Sequence, residues 1–306
     1  MLEQYQDIWV KGKLQRSGVR EVESRYEMIK AQAAKFNRPF TVLDIGANLG
    51  YFSIRLTEDF PECTVVAIEG IYNQWLLDVL HQNESDRIIA LNKVFRLADL
   101  DKLADVEHFD MVLAMSVMHH IDGGFPNVLK TIRRLGEVKV IEIATEDNAC
   151  GQESVKSGFI PEDAELLGYG VSHLKGPRRP VFSLYDSKTT IKDVYINIPK
   201  EKVNWNDISI ESDYDIKRLI KNGKGTDWHR GINLKTFDYF NGSYPSRNTV
   251  ASILENNKPN RTHGDLKIHN IILQGNTVEY IDFMDEGCDV FDDNELLQQV
   301  IQHLRS

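Results

Sequence analysis

Two hydrophobic rhythms run along the chain. Val19, Val22, Tyr26 and Ile29 recur every three or four residues, which predicts a helix over about 14–36, ended by Asn37-Arg38-Pro39. Short continuous apolar runs then alternate with amphipathic stretches. The runs at about 41–45, 64–68, 87–91, 110–115 and 138–143 read as strands buried on both faces. The stretches at about 50–58, 71–82, 97–104 and 124–135 read as helices, the first with Phe52, Ile54 and Leu56 buried. Strand and helix in strict alternation predict an α/β fold built on a doubly wound, Rossmann-like parallel sheet. Two more strands, near 168–174 and 181–185, have no long helix between them and are expected to pair antiparallel.

Beyond them the pattern weakens. Residues 188–262 are rich in Lys, Asn and Asp with little periodicity, so a boundary is expected near 187, giving units of 1–187 and 188–306. The 306 residues suffice for one large domain or two modest ones. No run of about 18 apolar residues predicts a transmembrane helix, and Met1-Leu-Glu-Gln-Tyr lacks the features of a signal peptide. Cys63, Cys150 and Cys288 match no disulfide or metal spacing, as expected of a cytoplasmic protein. The net charge of -10 argues against general nucleic-acid binding.

The chemistry concentrates where the first strand meets its helix. Asp44-Ile-Gly46-Ala-Asn48-Leu-Gly50 is a glycine turn that lets a ligand approach the carboxyl end of a strand, with Asn48 expected to cap the helix. Glu69-Gly70 ends the second strand, 25 residues beyond Asp44, where an acid accepts from ribose hydroxyls. The turn lacks the third glycine of a dinucleotide site. With Ser116-Val-Met-His119-His120-Ile121 after the fourth strand, the pattern resembles the class I S-adenosyl-L-methionine-dependent methyltransferases. Tyr5-Gln6, Arg25, Asn37-Arg38-Pro39, the His119-His120 run, Ser172-His173-Leu174 and Arg179-Pro180 narrow it. In that order they resemble the methyltransferase half of the bifunctional methyltransferase–kinases that cap bacterial O-antigen chains, over roughly 3–187. The resemblance implies cofactor contacts from Tyr5, Gln6, Arg25, Asp44, Gly46, Asn48, Glu69, Gly70, the Phe95-Arg96-Leu97 stretch beside adenine, and Met115. The family has Gly-Cys-Ala-Gln-Gly at the turn and Asp at the second strand's end, so both positions depart from it here.

His119 and His120 lie where an acceptor meets the methyl group. Each is open to three readings: a general base, a cationic clamp on a phosphate, or a side chain packed on the sheet. Lys175, Arg178 and Arg179 form either an anion clamp or a basic surface turn. Near the carboxyl terminus, His263-Gly-Asp265-Leu-Lys-Ile-His-Asn270 precedes Tyr280-Ile-Asp282-Phe283. This is similar to the catalytic and metal loops of the aminoglycoside-phosphotransferase and protein-kinase superfamily. It implies Asp265 as catalytic residue, Asn270 and Asp282 as magnesium ligands, and ATP as co-substrate. The strands of its hairpin are expected at 271–273 and 278–281, around Gly275-Asn276. No glycine-rich loop or strand lysine precedes it, so 188–306 reads as a truncated kinase-like region.

Three functions are therefore expected in descending order. The first is an O-methyltransferase acting on a phosphorylated or sugar/glycan acceptor. The second is a bifunctional enzyme that phosphorylates and then methylates. The third is a recruitment module with a pseudokinase tail, whose residues 279–295 carry eight acids.

Overall fold

A computed structural model describes residues 5–144, 161–171, 178–185, 231–259, 263, 266–281 and 293–306. In chain order it contains β1 (Ile8–Val10), β2 (Lys13–Arg16), α1 (Glu23–Ala33), β3 (Phe40–Ile45), α2 (Tyr51–Asp59), β4 (Cys63–Ile68) and α3 (Asn73–Asn83). Next come β5 (Ile88–Leu91), α4 (Leu97–Val106), β6 (Phe109–Met115), a 3-10 turn (Met118–His120), α5 (Phe125–Leu135), β7 (Gly136–Glu142), β8 (Glu165–Val171) and β9 (Arg178–Tyr185). The carboxyl-terminal part adds β10 (Ile232–Asn233), α6 (Leu234–Tyr239), β11 (Gly242–Tyr244), α7 (Arg247–Asn256), β12 (Ile271–Leu273), β13 (Val278–Tyr280) and α8 (Asp293–Arg305).

Eight strands make one sheet in the order β11-β5-β4-β3-β6-β7-β9-β8. The five central strands are parallel, and β9, β8 and β11 are antiparallel to their neighbours. The fold is thus the α/β sheet the apolar runs predict. Alternation along each strand sorts the core into two faces. Leu43, Val66, Ile89, Val112 and Ile141 pack with α4, α5 and the carboxyl-terminal helices. Val42, Val65, Ile88, Met111 and Val140 pack with α1, α2 and α3. With β3 and β4 buried along their whole length, their sequences carry no polar face to read.

The amino-terminal helix begins later than its apolar spacing predicts. Residues 8–16 form a hairpin instead, with Val10 opposite Lys13 across the two-residue turn Lys11-Gly12. Both turn residues take positive φ (48° and 75°), the twist that suits a tight hairpin. Val22, Tyr26 and Ile29 do share the buried face of α1. On α2, burial covers Tyr51 through Thr57 without a break, because this helix lies between the sheet, α1 and the amino-terminal hairpin.

The expected boundary near 187 falls in 186–230, outside the described residues. The segments after residue 230 pack directly onto the sheet. Strand β11 pairs with β5, and Tyr244 donates its hydroxyl to the Ser85 carbonyl (2.6 Å). Glu107, buried before β6, accepts from the Asn233 N–H (2.9 Å) and the Thr236 hydroxyl (2.7 Å). The β12–β13 hairpin forms where its sequence predicts, and Asn276 N–H donates to the Asp86 carbonyl (2.8 Å). No helix among the described residues is long and apolar enough to cross a membrane.

Phe237 of α6 is fully buried in the same cluster as Leu43 and Val112. Phe237→Ala is expected to cost about 3–5 kcal/mol. Urea denaturation followed by fluorescence and by circular dichroism should give one shared transition, moved to lower urea. A separate early transition with the sheet unaffected would contradict the shared core.

Candidate functional site

The site lies along the carboxyl edge of the parallel strands. There β3 runs into the turn at 46–50, whose Gly46, Asn48 and Gly50 all take positive φ. Gly46 and Ala47 donate to the Ile68 carbonyl (2.9 and 3.0 Å), which ties the turn to the end of β4. A Cβ at Gly46 would stand 2.7 Å from a Val117 methyl, so only glycine lets the segment after β6 close against the turn. The helix cap is Gly50 and not Asn48. The Asn48 N–H donates to Glu69, and its side-chain oxygen is buried without a partner.

Glu69 is buried at the end of β4 and held by backbone alone. One oxygen accepts from Asn48 N–H (2.8 Å), the other from Ile71 N–H (2.7 Å) and Tyr72 N–H (3.0 Å). A carboxylate has about four acceptor positions, so these three bonds leave one open. Asp44 lies beneath the turn and accepts from the Ser53 hydroxyl (2.7 Å). Burial, together with the neighbouring Glu69 charge and against that hydrogen bond, pushes the Asp44 carboxyl up to about 6. Phe95 turns its ring onto Phe240 (4.9 Å between centroids), and Arg96 is exposed and starts α4. The Leu97 N–H donates to Asp122 (2.7 Å). Met115 closes β6 beside the turn.

The amino-terminal residues reach the same place. Gln6 is buried, and its side-chain oxygen accepts from Leu49 N–H in the turn (3.3 Å). Tyr5 lies against the Arg20 guanidinium, 4.2 Å from its ring centre, and the Tyr5 carbonyl accepts from Arg20 N–H (3.0 Å). Arg25 of α1 is committed within the protein: its Nη1 pairs with Glu142 at the end of β7 (3.2 Å) and its Nε donates to the Glu21 carbonyl (2.9 Å). Both side chains of the pair are buried, and the second Glu142 oxygen has no partner.

Arg179 on β9 donates to the Ser116 hydroxyl after β6, and its Nε is buried without a partner. His119 and His120 stand beside it with ring centres 4.0 Å apart. Burial first, then His120, Arg179 and Arg20, lower the His119 pKa to about 4. His120 is more exposed; its partial burial and the same two arginines lower it too. His119 is therefore a neutral imidazole at pH 7, and the fixed positive charge of this corner comes from arginine. Arg20, Arg25, Arg179 and Glu142 leave a formal surplus of two positive charges.

The structure thus gathers Tyr5, Gln6, Arg25, Asp44, Gly46, Asn48, Glu69, Gly70, Met115, His119 and Arg179 along one edge. Arg178 at the start of β9 is exposed. Lys175 and the Ser172-His173-Leu174 run lie outside the described residues. So do Asp265 and Asp282; of the kinase-like set, Asn270 is buried, with its carbonyl accepting from Ile281 N–H (2.9 Å). Sequence reading missed Arg20 and Glu142. Glu142 carries a signal, a charged residue closing a buried strand as Glu69 does. Arg20 carries none, because nothing local marks it as buried.

No family model matches the chain. Two curated Escherichia coli proteins named O-antigen chain terminator bifunctional methyltransferase/kinase WbdD are each 25% identical to it over 206 residues. That match covers 62% of this chain and 28% of theirs, so it spans little more than a quarter of those relatives. A co-crystal structure of WbdD with a kinase inhibitor superposes with a TM-score of 0.51 at 18% identity, over 92% of this chain and 80% of that one. Another WbdD crystal structure gives 0.50 at 16% identity, over 100% and 93%. The fold is the one those structures have.

The Asp44 shift sets a pH signature. Its folded carboxyl holds a proton up to about pH 6, whereas the unfolded one releases it near 3.8. Native stability from the protonated form is therefore full below about pH 4 and is lost as pH rises through 6. Asp44→Asn does not titrate, so its stability relative to the parent should grow between pH 4 and 6. The gain should level off on the order of 3 kcal/mol. Chemical denaturation of both proteins at pH 4, 5, 6 and 7.5 measures it; a difference that stays flat with pH would refute the shift.

Proposed function

We propose that this protein transfers a methyl group from S-adenosyl-L-methionine to a phosphorylated glycan acceptor. The observation that carries the reading is Arg179, buried beside the glycine turn with an unpartnered Nε and two uncharged histidines for neighbours. In this reading residues 1–187 form the methyltransferase unit and 188–306 a truncated kinase-like region.

The residues fit the methyl donor. Its ammonium and hydroxyl groups bring hydrogen-bond donors to a crevice where Asn48 and Glu142 each present an unpartnered buried oxygen. The turn at 44–50, Glu69-Gly70, the 95–97 stretch, Met115, Tyr5 and Gln6 would hold it, while Arg25 stays engaged with Glu142 and the Glu21 carbonyl behind them. When bound, it supplies an electrophilic methyl on a sulfonium. The chain's own contribution is position: near-attack geometry alone is worth several powers of ten.

The acceptor follows from charge. A phosphate monoester has a second pKa near 6 and is already nucleophilic at pH 7, so it needs cations and no base. A sugar hydroxyl needs a base matched to the working pH, and an imidazole held near pH 4 is a poor one. Arg179 then fixes the phosphate against the Ser116 corner, and neutral His119 and His120 complete the pocket wall. The similarity to WbdD, which by its name acts on O-antigen chains, supports a glycan as the rest of the acceptor.

Radiolabelled methyl transfer to a phosphorylated glycan and to its phosphatase-treated counterpart tests the reading. Only the phosphorylated form should accept label, and equal labelling of both would refute the phosphate. Arg179→Gln should raise the acceptor KM about 10–100-fold, the worth of one hydrogen bond to a charged group. His119→Gln should change turnover by less than about tenfold; a loss of 100-fold or more would mark it as a general base.

A further inference from the structure

We infer that Arg20 is a second ligand for the acceptor's anion, carried on an amino-terminal strap that also grips the cofactor turn, so that methyl donor and acceptor bind cooperatively. The inference rests on the proposed reading of the glycine turn as the methyl-donor site.

Arg20 is 6% exposed, yet its Nε and Nη1 have no hydrogen-bond partner. Buried guanidinium donors left open are costly, and an incoming anion is what would satisfy them. The side chain lies near enough to the Arg179 corner for their charges to act on one another. Its charge acts on Arg179, Arg25 and Glu142, and it is one of the charges that hold His119 and His120 neutral. The Tyr5 ring covers one side of it. Arg20 and Arg179 together keep three buried guanidinium nitrogens without partners, donors of the kind that an anion's oxygens accept from.

What makes Arg20 more than another arginine is its mounting. Residues 5–7 and 18–20 are fastened side by side. Arg20 N–H donates to the Tyr5 carbonyl (3.0 Å), and Gly18 N–H donates to the Asp7 carboxylate (2.7 Å). Gly18 lies so close to the Gln6 carbonyl that a Cβ there would come within 2.4 Å of the carbonyl carbon. One end of this strap, Gln6, holds Leu49 of the turn; the other, Arg20, lies in the anion corner. An anion that draws on Arg20 thereby settles the strap on the turn, and a donor that settles the turn places Arg20. Such linkage is reciprocal and commonly worth about 5–150-fold in affinity.

Calorimetric titration of S-adenosyl-L-homocysteine into the full chain, with saturating inorganic phosphate or with chloride at equal ionic strength, tests this. In the parent protein phosphate should tighten binding roughly tenfold. In Arg20→Gln the ratio of affinities in phosphate and in chloride should fall to about one, whatever the loss of the contact with Tyr5 does to the affinity in chloride itself. Asp7→Ala leaves both ligand contacts in place and loosens the brace, so it should shrink the gain while phosphate still binds. A merely structural Arg20 would lower affinity equally in both salts, and that result overturns the inference. So does a full gain from phosphate in Arg20→Gln, or none in the parent. Failure of the parent to bind S-adenosyl-L-homocysteine in either salt would instead remove the donor reading, and the coupling with it.

Discussion

The carboxyl edge of the sheet depends on one carboxylate. Glu69 collects the N–H groups of Asn48, Ile71 and Tyr72, so a single side chain fixes both the glycine turn and the start of α3. Asn48 takes left-handed backbone, which asparagine tolerates better than other residues with a Cβ. The bond from Glu69 and the two bonds from the turn to Ile68 hold it there. Asp44 directly beneath bears the electrostatic consequence: it is buried close to a second carboxylate and clings to its proton.

A second constraint is the density of arginine at the other end of the same edge. Arg20, Arg25 and Arg179 are buried within reach of one another with Glu142 as counter-charge. Such a grouping lowers stability unless something compensates it. Compensation within the protein is partial, since Arg25 is paired whereas Arg20 and Arg179 keep open donors. An anion bound among these groups would offset that cost and stabilise the fold by mass action. The neutral histidines fit the same logic, because protonating His119 would add a further positive charge to the cluster.

The carboxyl-terminal part shares the core of the sheet. Strand β11 extends it, Glu107 takes up two donors of the β10–α6 segment, and Phe237, Val250 and Leu304 lie in one cluster with Leu43 and Phe109. The kinase-like hairpin rests against Asp86 at the amino end of β5, away from the cofactor turn. Among the described residues, the tip of this hairpin therefore meets the amino end of the strands, whereas the glycine turn lies at their carboxyl end.

The sequence alone determined the elements whose signal is local. Continuous apolar runs marked the parallel strands, glycine at 46 and 50 marked the turn, and an acid at a strand end marked Glu69. It misplaced the start of α1, since Val19 and Val22 keep helical spacing with Tyr26 and Ile29 although the helix begins only at Glu23, after a hairpin that ends at Arg16. It did not reveal β11, because Gly242-Ser-Tyr244 is too short to carry a period. Only the tertiary structure decided which charges meet. The Arg20–Arg25 segment, Glu142 and Arg179 are far apart in the chain, and no local pattern brings them together. Proximity among them comes from the order of strands in the sheet and from the strap that crosses it. The choice between a charged and a neutral His119 rests on the tertiary structure too, since its burial comes first and the distant Arg179 and Arg20 add to the effect of His120 beside it.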